Sequence, residues 1–260
     1  MIFRMKNTSE TWMIVPDVQA PLHDQVFVEK LIDVAKEIQP HGLLFTGDLT
    51  DQTEVGRWVK GKAGEYVGDL QAAFDETALI ISDFRDAVGD ECAMVLIDSN
   101  HDKRIREYIS SNAPALSKLR SLSLSSLIGL GRNNVSYVSG PYEFIPGTVA
   151  VHGHERAYST VPGKYGLNRS VEYNANVVYG HTHTPLLVTT AVGRDAQRRN
   201  LWAMNVGHAM DMSKAGYLED GYATWCQAFG IVTYDPELNA SQPELIMAEN
   251  GNFYFEGQWW

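Results

Sequence analysis

Trp12-Met13-Ile14-Val15-Pro16-Asp17-Val18-Gln19 and Gly42-Leu43-Leu44-Phe45-Thr46-Gly47-Asp48-Leu49-Thr50-Asp51 decide the fold. Each is a short apolar run that ends on acidic or amide residues, as a buried strand does when it delivers polar side chains at its C-terminal end. Between them Asp24 is placed to cap a helix running to about Gln39. Phe27, Leu31, Val34 and Ile38 recur along it at helical spacing, and Pro40 stops it. Strand, helix, strand is a βαβ unit with a carboxylate at each strand end, where α/β sheets place their sites.

The pattern repeats downstream. A long helix is predicted from about Glu65 to Ala87, with Leu70, Phe74, Ile81, Phe84 and Val88 on one face. Ala93 to Ile97 is the next strand, and it delivers Ser99-Asn100-His101-Asp102. The stretch from Lys103 to Gly131 is helical in composition, broken by Pro114. After Asn134 the segments become short and β-rich, from Val135 to Ser139 through to Phe253 to Phe255. Two of them run into Val151-His152-Gly153-His154 and Gly180-His181-Thr182-His183. Polar blocks at strand ends thus come from both halves of the chain, which argues for one domain over residues 1–260. The expected class is α/β, two mixed sheets packed as a sandwich and flanked by helices. Glu155 to Ser170 reads as a long polar loop, a lid or specificity element.

Composition narrows the function classes. The 260 residues are 44% hydrophobic and 20% charged, which suits a sizeable core and argues against disorder. A formal charge of −11 disfavours non-specific grip on a polyanion and fits small substrates better. Cys92 and Cys226 are expected to be free buried thiols in a reducing compartment. The start, Met1-Ile2-Phe3-Arg4-Met5-Lys6, lacks the features of a signal peptide, and no apolar run is long enough to span a bilayer. The expectation is a soluble cytoplasmic protein, in the host cytoplasm if viral.

The five polar blocks are built from hard oxygen and imidazole ligands, enough for two divalent metals sharing one carboxylate. Asp17 or Asp48 alone would also serve as a helix cap, and one pair of loop histidines alone would read as solvated. All five blocks in this order resemble the calcineurin-like metallophosphoesterases, and details point to a subgroup carried by bacteriophages. The resemblance covers roughly Asp17 to His208. It implies one metal on Asp17, Asp48 and His183, and another on Asp48, Asn100, His152 and His181, with Asp48 as the bridge. Mn²⁺ is the leading candidate, with Fe, Zn or Ni as alternatives. In such enzymes two bridged dications make hydroxide available near neutral pH, and it attacks phosphorus in line with the leaving oxygen. His101 matches the family histidine that stabilises the transition state or protonates the leaving group, and Asp102 is placed to orient its ring. Asp51 reads as fixing its loop.

One departure stands out. The family's Asp-x-His is Asp-x-Gln here, so Gln19 stands where an imidazole ligand is expected, either as a weaker ligand or as a hydrogen-bond donor to one. Serine in place of glycine before Asn100 is a second departure. His23 is a structural histidine or folds back to fill the place. His154 faces substrate or supports a ligand. Asn205-Val206-Gly207-His208 resembles the family's Asn-Pro-Gly-Ser turn, so His208 borders the pocket or simply occupies a turn; His41 carries no signal. Among the basic residues, Arg194, Arg198 and Arg199 read as a solvated hairpin tip. Lys103, Arg104 and Arg106 follow the Asn100-His101 pair closely enough to contact a substrate phosphate. Phe253-Tyr254-Phe255 and Trp259-Trp260 pack onto the body or form a homodimer contact.

The expected activity is phosphodiester hydrolysis on a small nucleotide, 2′,3′-cyclic forms foremost, a choice that comes mainly from the phage resemblance. A DNA nuclease or a phosphomonoesterase on the same ligands is the alternative. A binding scaffold of this fold, as in the retromer subunit, is a different class, and Gln19 is the one feature in its favour.

Overall fold

The computed structural model describes residues 9–56, 68–157, 159, 161–214 and 224–260. The N-terminal residues Met1 to Lys6 and the predicted helix start at Glu65 lie outside them.

Strands β1 (Glu10–Val15), β2 (Gly42–Phe45), β3 (Ala93–Ile97) and β4 (Val135–Val138) run parallel, side by side in that order. Beyond β1 lie β10 (Ala228–Asp235), antiparallel to it, and β11 (Ala240–Met247) at the edge. This six-stranded mixed sheet faces a five-stranded one. The second sheet contains β5 (Tyr142–Ile145), β6 (Thr148–Ala150), β7 (Asn176–Tyr179), β8 (Leu186–Val192) and β9 (Arg199–Asn205), in the order β5-β6-β7-β9-β8. The expected two-sheet sandwich is the observed architecture.

Strand alternation explains the layers. Met13, Val15, Leu43, Phe45, Met94 and Leu96 face one way and pack with Phe27, Leu31 and Val34 of α1 (Gln25–Ile38) and Phe74, Ile81 and Phe84 of α2 (Leu70–Val88). Trp12, Ile14, Leu44, Val95 and Ile97 face the other way and meet Ile145, Ala150, Val178 and Met204 of the second sheet. With both faces covered, β1 to β3 need the continuous apolar runs that the sequence shows. Asp24 caps α1, accepting from the Phe27 amide at 3.2 Å. Helix α2 begins at Leu70, where Asp69 accepts from the Ala72 amide and caps it.

The second sheet's outer face carries α5 (Lys164–Tyr173), after the shorter α3 (Arg104–Asn112) and α4 (Leu124–Leu127). This corrects the expectation of a loop from Glu155 to Ser170. Only Tyr165, Gly166 and Ser170 of α5 are buried, too sparse a stripe to register as helical periodicity. Gly166 permits the contact, since a Cβ there would lie 2.6 Å from the Ala203 Cβ. Cys92 is buried and free as expected, but Cys226 is exposed, in an irregular segment just before β10. At the C-terminus Phe253 and Phe255 pack into the core, while Tyr254 and Trp259 of the β12 (Tyr254–Phe255) and β13 (Gln258–Trp259) hairpin face outward. Among the described residues no helix is long and apolar enough to cross a membrane.

Candidate metal centre

The C-terminal ends of the parallel strands from both sheets converge. Asp17 follows β1, Asp48 follows β2, and Asn100 and His101 follow β3; His152 follows β6, and His181 and His183 follow β7. Gln19, Asp48, His181 and His183 all adopt left-handed backbone (φ 52°, 49°, 66° and 55°), an uncommon conformation for side chains of this kind. Such strained positions cluster where a structure holds groups for a task.

Asp17, Asp48 and His183 form one group, and Asp48, His152 and His181 another; within each, the ligand atoms lie within 4.8 Å of one another. Asp48 belongs to both. In the first group His183 Nε2 is 3.2 Å from Asp17 Oδ2. Gln19 Nε2 is 3.1 Å from the same imidazole nitrogen, and turning the amide over would present Oε1 there instead. Asp17 is held in place by the His181 amide at 2.7 Å and the Thr46 hydroxyl at 3.0 Å. Gly180 makes room for it, since a Cβ would fall 2.2 Å from Asp17 Oδ1.

The second group is a cluster of acceptors. His152 Nδ1 lies 2.9 Å from the Thr46 carbonyl and donates to it, leaving Nε2 directed at Asn100 Oδ1 (3.0 Å) and Asp48 Oδ2 (3.4 Å). A lone pair and two oxygens this close call for positive charge between them. The electrostatics agree. Burial opposes a charge on His152, but Asp48 and Asp17 outweigh it and raise the ring to about 10. His181, lowered to about 4 by burial and by His152, keeps a free lone pair. The donor set of imidazoles, carboxylates and amides fits divalent transition-metal ions.

His101 lies beside this centre. Its amide donates to Asp48 Oδ1 at 3.1 Å, and its Nε2 is 3.8 Å from Asp48 Oδ2. The group that orients its ring is Asp51, with Oδ1 2.9 Å from His101 Nδ1. This corrects the role expected of Asp102, whose carboxylate instead accepts from the Ser99 hydroxyl at 2.8 Å while its Oδ1 has no hydrogen-bond partner among the described residues. Burial, reinforced by Asp48, pushes Asp102 up to about 7. Two residues on from Asn100, Asp102 turns back under the loop rather than toward the ring. Burial works against a charge on His101, yet Asp48 and Asp51 outweigh it and raise its pKa, with Arg104 acting the other way.

The remaining histidines separate by position. His23 turns away, its Nε2 3.6 Å from Glu76 on α2, so it does not complete the first group. His154 Nε2 accepts from Lys103 Nζ at 3.0 Å, its ring 6.2 Å from that of His181. His208 is buried behind His183 at a ring distance of 5.4 Å, and its Nδ1 accepts from the Met210 amide. His41 accepts from the Thr11 amide. Arg194, Arg198 and Arg199 are exposed around the β8–β9 turn.

Sequence reading missed several supports. Asn205 Nδ2 donates to the Gly180 carbonyl at 3.0 Å and to the Thr182 hydroxyl, fixing the turn that carries both histidines. Trp225 stands edge-on to His183 at 4.3 Å, from a segment with no motif to point to it. Asp51 was visible three residues after Asp48, but nothing in sequence tied it to His101. A cavity of about 410 Å³ opens over the centre, lined among others by Gln19, Asp48, His101, Arg104, His183 and Trp225.

No protein-family model matches the sequence. The chain is similar to the Gene 54 proteins of Mycobacterium phages D29 and L5. It is 27% and 26% identical to them over 255 residues, covering 97% of this chain and 99% of each relative. Among solved structures it is similar to vacuolar protein sorting 29 of Cryptosporidium parvum, at 12% identity and a TM-score of 0.47, over 97% of this chain and 98% of that one. Wild-type Vps29 of Entamoeba histolytica, complexed with Zn²⁺, matches at 12% identity and a TM-score of 0.43, over 91% and 98% of the two chains.

Proposed function

We propose that this protein is a metal-dependent phosphoester hydrolase of the calcineurin-like type, acting on phosphodiesters of small nucleotides, with 2′,3′-cyclic nucleotides foremost. The observation that carries the reading is the pair of ligand groups sharing Asp48, with His101 directly beside the shared carboxylate. Asp17, Asp48 and His183, with the Gln19 amide, would hold one divalent ion; Asp48, Asn100, His152 and His181 would hold the other. Bound there, two such ions would supply a nucleophile from water and neutralise charge at phosphorus. The chain's own contribution is positional. Thr46 and Asn205 lock the ligand-bearing turns, and Asp51 holds the His101 ring so that Nε2 can present a proton to the leaving oxygen.

Substrate size and charge favour a small ester. The chain carries −11 formal charge, and a cavity of about 410 Å³ is at the low end of the range for small-molecule sites. Trp225 gives that cavity an aromatic wall suited to a nucleobase. Similarity to phage proteins supports work in a host cytoplasm. The test is hydrolysis of bis-p-nitrophenyl phosphate beside p-nitrophenyl phosphate with Mn²⁺, and with EDTA as control. Faster turnover of the diester, abolished by EDTA, is expected. Preference for the monoester would make the protein a phosphatase, and no turnover of either with any of Mn, Fe, Zn or Ni would overturn the hydrolase reading.

A further inference from the structure

Resting on the phosphoesterase reading, we propose that Arg104 is the residue that grips the substrate's phosphoryl oxygens, and that it leaves His101 to do so. Three basic residues follow the Asn100-His101 pair, and the start of α3 separates them. Lys103 Nζ lies 3.2 Å from Asp98 Oδ2, and Arg106, three residues on, points to the same carboxylate at 3.9 Å. Arg104 alone of the three turns into the cavity. Among the described residues lining that cavity, it is the one with a permanently charged cationic side chain; the others include the Asp48 and Asp51 carboxylates and three histidines.

Its present partners are replaceable. Nη1 donates to the Asp51 backbone carbonyl and lies 3.5 Å from Asp51 Oδ1, and Nη2 lies 2.9 Å from His101 Nε2. A guanidinium only donates, so His101 Nε2 must accept in this arrangement. That is the nitrogen from which a leaving oxygen would draw its proton. While Arg104 occupies it, His101 cannot deliver one, so the two roles are compatible only if Arg104 moves off. A phosphoester offers what would draw it away: two anionic oxygens at the spacing of the guanidinium fork, which form shorter and stronger bonds than a ring nitrogen or a carbonyl. Arg104 reaches the cavity from the first residue of α3, with its backbone fixed and its long side chain free to exchange one set of acceptors for another. Once Arg104 moves off, the freed Nε2 lone pair can take a proton from solvent water and pass it to the leaving oxygen, so binding the phosphate and uncovering His101 become a single side-chain movement.

Inorganic phosphate binding to the Mn²⁺-loaded protein, measured by calorimetry, tests this without turnover. Arg104→Gln should bind phosphate about 10-fold or more weakly, the loss expected for a charge-assisted bond. Arg104→Lys, which keeps the charge but not the fork, should fall between the two. Manganese content should be unchanged in both, and Arg106→Gln should bind phosphate like the wild type. Unchanged phosphate affinity in Arg104→Gln, or no phosphate binding by the wild type, would overturn the proposal. If the glutamine variant does not fold, Arg104→Lys decides alone: weakened phosphate binding supports the assignment and wild-type affinity refutes it. Failure of the wild type to hydrolyse either ester is a separate result, and it bears on the hydrolase reading.

Discussion

Replacing Asp51 with asparagine keeps the side chain's shape and removes its charge from beneath His101. Asp51 is buried, and its Oδ1 lies 2.9 Å from His101 Nδ1, so solvent cannot take over the interaction. A hydrogen bond to a charged group is worth about 1.5–3 kcal/mol and a neutral one about 1, so the difference is about 1–2 kcal/mol. If Asp51 acts by supporting a protonated His101 in the transition state, kcat should fall about 5- to 30-fold. KM and metal content should hold. The pH profile gives a second readout. The Asp51 carboxylate raises the pKa of His101, so its removal lowers that pKa, and the alkaline limb of kcat, where the acid is lost, should move to lower pH. The decisive assay is a double-mutant cycle on bis-p-nitrophenyl phosphate. In a His101→Ala background, itself slower by about 10²–10⁴-fold, Asp51→Asn should cost nothing more. An undiminished loss in that background would refute the coupling and leave Asp51 as a purely structural residue.

Four further substitutions address the ligand map and the packing around it. Gln19→His should tighten retention of the metal held by Asp17 and His183, seen as slower loss during dialysis against a chelator; no change would remove Gln19 from the ligand shell. Asn100→Ala or His181→Ala should abolish both metal binding and turnover, and activity at wild-type level in either would break the assignment of the second group. Gly180→Ala should destabilise the fold by about 1–3 kcal/mol in urea titration, as overpacking does, because Asp17 is pinned by two hydrogen bonds and has little room to yield. Wild-type stability would mean that the first strand and the histidine turn are not packed this tightly.

The βαβ opening and the strand-end blocks were legible because both carry strong local signals. Trp12 to Val15 and Gly42 to Phe45 are buried on both faces and so are apolar throughout, and Asp24 and Pro40 bracket the helix between them. What escaped were features set by distant packing. Helix α5 touches the second sheet through Tyr165, Gly166 and Ser170, and no window of its sequence announces an amphipathic face. Sequence proximity points His101 to its neighbour Asp102, but it is a poor guide in a tight turn, where adjacent side chains diverge. Asp51, some fifty residues away, arrives by sheet pairing. Likewise, Lys103, Arg104 and Arg106 look equivalent as text, and the helical turn that separates them becomes visible only in three dimensions.

Each ligand group takes members from both sheets: Asp17 and Asp48 meet His183 across the sandwich, and Asp48 meets His152 and His181. An ion seated there would therefore act as a rivet through the seam between the two layers, as well as a reagent. Because it would bind only when the layers are docked, its binding would add to folding stability, growing with the logarithm of the ratio of its concentration to its dissociation constant. The converse also holds: without the ion, that contribution to the docking of the two layers is lost. A cell short of metal would hold a protein that is loosest along the edge where its chemistry is meant to occur.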